Sequence, residues 1–291
     1  MARAVSRSRI TARIANSPHD TAGALRFRVA GLLLTVAGLP RARAKQLAAL
    51  LAPFQASPDG QEPALRFDVH PRGEDDVWVV ERNSERIAAF SDADLLLTQL
   101  EWHAIAAGLT ATTDQAVFHA GALSRDGTAM ILLGQSGVGK TTLTTGLIQR
   151  GWLPYADDVT LLGTRTATLE VFPRCFHMDA PALRRAAAAP PFTAVPGLPE
   201  HARPLRWAPP GLAPTAIVVI ERDAHGPSTM RPISQAEAAA ALLGQAMANT
   251  LPRAMVAEVA VRAAAGARAC RQLTNGDREG ALDLLDELGR L

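Results

Sequence analysis

Three stretches near the start of the chain alternate partly between apolar and polar positions and are rich in β-branched and aromatic residues. They are LRFRVAGLLLTV (25–36), LRFDVH (65–70) and DVWVVER (76–82). Successive side chains of a strand point to opposite faces, so each stretch is predicted to be a strand. Between the first two, ARAKQLAALLAPF predicts a helix. DADLLLTQLEWHAIAAGL (92–109) predicts a second, capped by Ser91 or Asp92. Residues 25–109 therefore read as a small α+β N-terminal unit behind a flexible tail, 1–24.

From residue 116 the pattern becomes strand, turn, strand, glycine-rich loop and helix. In VFHAGALSRDGTAMILLG, Asp126-Gly127 separates two strand-like runs, and Asp-Gly is a strong signal for a two-residue hairpin turn. RRAAAAPPFTAVPGLP (184–199) reads as a Pro/Ala-rich loop able to cover a groove, and RPLRWAPPGLAP (203–214) as a second breaker. TAIVVIER (215–222) is a short, largely apolar run of the kind found inside a sheet covered on both faces. The rest reads as helical. One helix is opened by a capping box of Ser234 and Glu237, and a last one follows Asn-Gly-Asp. No internal repeat is visible.

Composition narrows the classes. Of 291 residues, 48% are hydrophobic, yet no apolar run reaches the roughly eighteen residues of a membrane span, so no membrane partner is expected. A net charge of +2 without an aromatic-studded basic stripe predicts no nucleic-acid partner. Cys175 and Cys270 suggest neither a zinc cluster nor a disulfide framework, which fits a reducing cytoplasm. The Arg/Ser-rich first residues could be read as a transit peptide and lack the apolar core of a secretory signal, but a frayed tail is the simpler reading.

One bias matters more. Among 30 basic side chains, Lys45 and Lys140 are the two lysines. Lys140 falls where Gly134, Gly139, Lys140 and Thr141 complete the pattern G-x-x-x-x-G-K-[ST]. In such a P-loop the glycines let successive backbone N–H groups face an anion, and the next helix adds its N-terminal dipole. The strand TAMILL before it and the helix TTLTTGLIQR after it supply the context the motif requires. The expected nucleotide-binding residues are Gly134, Gln135, Ser136, Gly137, Val138, Gly139, Lys140, Thr141 and Thr142. Lys140 would reach the β- and γ-phosphates of ATP, and the Thr141 hydroxyl would bind Mg²⁺.

If Asp126-Gly127 is the hairpin turn, antiparallel partners have numbers summing to about 253. His119 then lies opposite Gly134 and beside the nucleotide. A lone histidine more often simply packs at a strand end, and the register is what argues otherwise.

A P-loop enzyme needs a further carboxylate on a nearby strand. LPYADDVTLLG supplies Asp157 and Asp158, unusually with few apolar residues before the acids. Neighbours in a regular strand face opposite ways, so both reach the phosphates only if the chain bends there. One would orient metal or water while the other accepts a proton, and adjacency raises one pKa. A solvated Asp-Asp turn is the plainer alternative.

Together His119, GQSGVGKT from Gly134 and RGWLPYADD from Arg150 resemble the catalytic domain of the HPr kinase/phosphorylase family and its relatives, with matching spacings over 116–162. The resemblance implies an α/β fold for 110–291, a P-loop kinase domain with a mixed sheet akin to phosphoenolpyruvate carboxykinase and a helical C-terminus. It also implies ATP-dependent phosphate transfer to a serine of a protein or peptide. Asp158 would accept the proton, Lys140 and His119 would assist at the phosphate, Thr141 would bind Mg²⁺, and Asp157 would support metal or water.

The family's following glutamate-containing signature is not recognisable. LEVFPRCFHMDAP occupies that region and offers Glu170, Arg174, His177 or Asp179. The N-terminal part does not resemble the regulatory domain. Both departures argue against the sugar-transport phosphocarrier as acceptor and against a reverse phosphorylase reaction. Shorter relatives resemble kinases of other targets, including ribosomally made peptides.

Two further readings stand beside a serine kinase: a small-molecule kinase on the same fold, and a nucleotide-gated binding protein. A homo-oligomer stays open. Arg174, Arg206 and Arg222 could clamp a phosphate, but read more simply as surface arginines in an arginine-rich chain.

Overall fold

The N-terminal alternation folds into a five-stranded sheet, β1-β2-β3-β4-β5, built from β1 (Leu25–Val29), β2 (Leu32–Ala37), β3 (Leu65–Arg72), β4 (Val77–Arg82) and β5 (Glu85–Phe90). The structure, a computed structural model, describes residues 21–57, 60–72, 77–178, 184, 189–223 and 226–290. Most of the predicted tail, Asp76 of the third predicted strand, the candidate ligand Asp179 and residues 185–188 of the predicted loop lie outside these.

The stretch 25–36 is two strands, not the one predicted. Ala30 and Gly31 both have positive φ, 45° and 86°, and reverse the chain between β1 and β2. A two-residue turn of that hand matches the right-handed twist of the strands it joins. Asn83 and Ser84 form a similar turn and add β5, which alternation did not reveal. Helices α1 (Arg41–Leu50) and α2 (Ala93–Ala111) share one core with this sheet. The Asp92 carboxylate caps α2 by accepting from the amides of Asp94 and Leu95.

The run read as one strand through His119 also divides. β6 (Gln115–Phe118) joins a small sheet with β10 (Thr160–Gly163) and β11 (Leu169–Glu170), whereas β7 (Gly121–Arg125) joins the main sheet. Asp126 and Gly127, φ 50° and 84°, turn β7 into β8 (Thr128–Leu133). The pairs run from Arg125↔Thr128 to Gly121↔Leu132, all on the predicted register. After the glycine loop come α3 (Lys140–Gln149) and β9 (Leu153–Ala156).

Much of 184–199 is not a loop. β14 (Leu198–Pro204) pairs with β13 (Phe192–Val195) on one side and β12 (Phe176–His177) on the other, in a third sheet. The predicted strand at 215–222 is present, but the chain after it is not wholly helical, since two strands interrupt the helices. The C-terminal part holds β15 (Ala216–Arg222), β16 (Thr229–Pro232), α4 (Gln235–Gly244), α5 (Arg253–Gly266), β17 (Ala269–Asn275) and α6 (Arg278–Leu288). The capping box at Ser234 and Glu237 opens α4 as expected.

The main sheet runs β16-β17-β15-β8-β7-β9 and is mixed, with β8, β15 and β17 parallel. Its period-two pattern explains how both faces are covered. Met130, Leu132, Val218 and Ile220 pack with α3 and α6. Ala129, Ile131, Leu133 and Ile217 pack with α4 and α5. Each buried Leu, Ile or Val contributes about 1.5–3 kcal/mol, so this double burial fixes β8 and the position of the loop that follows it. Six helices are present among the described residues, and none of these is long and apolar enough to cross a membrane.

Candidate active site

The glycine loop leaves the carboxyl end of β8 and opens α3 at Gly139, whose φ of 105° only glycine adopts without strain. A Cβ there would also sit 2.8 Å from Asn275 Nδ2. At Gly134 a Cβ would sit 2.8 Å from the Ile220 carbonyl of the neighbouring strand. The first amides of α3 lack intrahelical partners and open toward the loop.

Lys140, almost wholly buried, donates from Nζ to the carbonyls of Gly134 at 2.6 Å and Gln135 at 3.0 Å. Burial pushes its pKa below the usual lysine value, opposed by the charges of Asp157 and Asp158. An anion in the loop would relieve that burial cost.

The chain bends at the two aspartates, which lets both line one cleft. β9 ends at Ala156 in the main sheet and β10 begins at Thr160 in the small one, so Asp157 and Asp158 sit in the crossing between sheets. The Thr141 hydroxyl donates to Asp157 Oδ2 at 3.0 Å. The other oxygen, Oδ1, is buried with no hydrogen-bond partner among the described residues. Burial and then the Asp158 charge push the Asp157 carboxyl up to about 7. A hydroxyl and an orphaned carboxylate oxygen form a hard-oxygen donor set that fits Mg²⁺. Thr141 and Asp157 are thus the residues that could hold it.

Asp158 lines the cleft beside the loop with its side chain 36% exposed, and its Oδ2 accepts from Arg174 Nη1 at 2.6 Å. Its main-chain carbonyl lies 3.0 Å from His119 Nδ1. A carbonyl only accepts, so this contact assigns the proton to Nδ1 and leaves Nε2 without one in the neutral ring. His119 does not pair with Gly134 as the register extrapolation had it. The β7–β8 ladder stops at Gly121↔Leu132, and the His119 amide instead donates to the Gln245 carbonyl at 2.7 Å. The imidazole nevertheless lines the same cleft as Lys140.

That cleft, about 660 Å³, brings together His119, Ser136, Gly137, Gly139, Lys140, Thr141, Thr142, Asp157 and Asp158. Gly134, Gln135 and Val138 instead line a cavity of about 540 Å³ behind the loop, against β15 and the end of α4. Arg222 also lines the cleft, and exposed Arg206 does not.

Arg174 is not a surface arginine. Its side chain is 17% exposed, and it forks onto Glu101 through Nε–Oε1 at 2.8 Å and Nη2–Oε2 at 3.0 Å. Burial opposes its charge, but Glu101 and Asp158 outweigh that and hold the proton more tightly than usual. His177 lines the cleft as well, 3.4 Å from His201, whose pKa is lowered by burial and then by His177. Glu170 lies in β11, away from the cleft residues.

Glu101, Thr98 and His201 were missed in the sequence. Glu101 left a trace: at four-residue spacing it shares a helix face with Leu97 and Ile105, where a charge is out of place. No comparable signal marks His201, which reaches the cleft through the pairing of β12 with β14.

The arrangement is a mixed α/β fold with a glycine loop, a lysine and paired carboxylates at one cleft. No family model matches the chain, and no curated protein matches it. Among solved structures, the HPr(Ser) kinase/phosphatase from Coxiella burnetii is similar at 14% identity and a TM-score of 0.24, over 60% of this chain and 93% of that one.

Proposed function

We propose that the chain is an ATP-dependent kinase that transfers the γ-phosphate to a serine hydroxyl of a protein or peptide. The observation that carries this reading is the convergence of Lys140, Thr141, Asp157, Asp158 and His119 on one cleft at the mouth of a glycine loop. In this reading the loop amides and Lys140 take the phosphates, with Lys140 exchanging its carbonyl partners for phosphate oxygens. Thr141 and Asp157 would hold Mg²⁺, which when bound neutralises charge on the β- and γ-oxygens.

An alcohol is a weak nucleophile, so its proton must be accepted as it attacks. Asp158 takes that proton. The new bond joins the serine oxygen to the γ-phosphorus, the bond from that phosphorus to the bridging oxygen breaks, and ADP leaves. His119, oriented by the Asp158 carbonyl, has its Nε2 left for the cleft, where it donates to the transferred group only as the imidazolium, with both ring nitrogens protonated.

The test is incorporation of label from γ-labelled ATP with Mg²⁺ into a panel of serine peptides and hydroxylated metabolites. Label on serine peptides supports the reading. Label on metabolites alone moves the chain to small-molecule kinases, and tight ATP binding without transfer makes it a nucleotide-binding switch.

A further inference from the structure

Glu101 is 1% exposed, on the buried face of α2 among Leu97, Leu100 and Ile105. A carboxylate in such a place is costly unless fully paired. Its pairing is also directional. Both oxygens receive Arg174, at 2.8 Å and 3.0 Å, in the two-pronged geometry that fixes a guanidinium plane. The remaining nitrogen, Nη1, points that plane at Asp158 Oδ2, 2.6 Å away. Trp102 adds a second restraint, with the Arg174 guanidinium carbon 5.8 Å from its ring centre. Glu101 and Arg174 both lie outside the glycine loop, so nothing in the phosphate cradle requires them. A pair serving stability alone has no need to end on a cleft carboxylate.

We propose that Glu101 is a positioning residue that acts through Arg174 to fix the Asp158 carboxylate for taking the acceptor's proton. This makes α2, from the N-terminal sheet unit, part of the active site. The catalytic consequence rests on the kinase reading, whereas the linkage itself does not. During transfer the serine proton passes to Asp158, and Glu101 and Arg174 keep their own protonation. The fork on Glu101 holds the guanidinium in place when the charge on Asp158 is lost. Without it, Arg174 is free to follow phosphate charge and Asp158 to turn away.

Two readouts test this in the full chain. With ATP, Mg²⁺ and a serine peptide that the wild type phosphorylates, Glu101→Gln should lower kcat about a hundredfold, the scale of a small misplacement of a reacting group, with KM for ATP essentially unchanged. Arg174→Lys keeps the charge but lacks the fork and should behave alike, while Glu101→Asp restores part of the rate. Independently of turnover, the Arg174 Nε–H resonance should be shielded from solvent exchange in the wild type. It should lose that protection in Glu101→Gln, and keep it but shift in Asp158→Asn. A folded Glu101→Gln with wild-type kcat, or with unchanged Nε–H protection, overturns the proposal. A wild type that transfers no phosphate overturns the kinase reading, and the resonance then decides alone whether Glu101 holds Asp158.

Discussion

Thr141 donates to one oxygen of the Asp157 carboxylate at 3.0 Å, and the other oxygen is buried without a partner among the described residues. The carboxyl is pushed up to about 7 by burial first and by Asp158 next. An exposed aspartate loses its proton near pH 4, so between about pH 4 and 7 the folded chain holds a proton that the unfolded chain has lost. Stability then falls as pH rises through that window, by up to about 1.4 kcal/mol per unit from this group. Asp157→Asn removes that slope. Urea denaturation at pH 5 and pH 8 should show the wild type losing stability relative to Asp157→Asn on going to the higher pH. Mg²⁺ should recover it for the wild type at pH 8 and do little at pH 5, where the carboxyl is protonated. Parallel behaviour of the two proteins would contradict the assignment.

The loop's backbone is the second point of test. Gly139→Ala forces a Cβ into a φ of 105° and to 2.8 Å from Asn275 Nδ2, which itself donates to the Val138 carbonyl at 2.8 Å. The strain, about 1–3 kcal/mol, falls where the amides must face phosphate. Calorimetric titration with ATP should show the affinity reduced at least about tenfold, the equivalent of 1.4 kcal/mol. Unchanged affinity would mean the loop is not the nucleotide cradle.

How much of this was legible depended on how local each feature was. The Asp126-Gly127 turn and the β7–β8 register followed from neighbouring residues, as did the glycine loop between β8 and α3. Gly31 was visible too, but its turn was concealed because apolar residues run straight across it from Val29 to Leu34. β17 reads as helical because the strand, flanked by β15 and the edge strand β16, lacks the clean alternation of a half-exposed one. His119 was placed at the right cleft for a partly wrong reason, since the chain changes sheets at that residue. Arg174 reads as a surface residue in the sequence because its partners, Glu101 and Asp158, lie 73 and 16 positions away in the chain. Pairings over such distances exist only once the sheets are assembled.

A local feature that the sequence did reveal gives a control. Ser234 accepts the Glu237 amide and Glu237 reaches back to the Ser234 amide at the start of α4. Ser234→Ala should lower stability by about 1 kcal/mol. ATP affinity should be unaltered, because the cap lies at the opposite end of α4 from Gln245, whose carbonyl receives the His119 amide. A loss of binding with the cap would show that α4 as a whole, and not only its C-terminal end, sets the cleft.

The central claim is that Asp158 takes the proton of the hydroxyl that receives the phosphate. The most direct measurement compares wild type and Asp158→Asn for ATP affinity and for transfer of label from γ-labelled ATP to a serine peptide. Loss of a positioned base costs about 10²–10⁴ in rate, so Asp158→Asn should lose transfer on that scale while binding ATP as the wild type does. Equal transfer by the two proteins, or loss of ATP binding together with activity, would contradict the account.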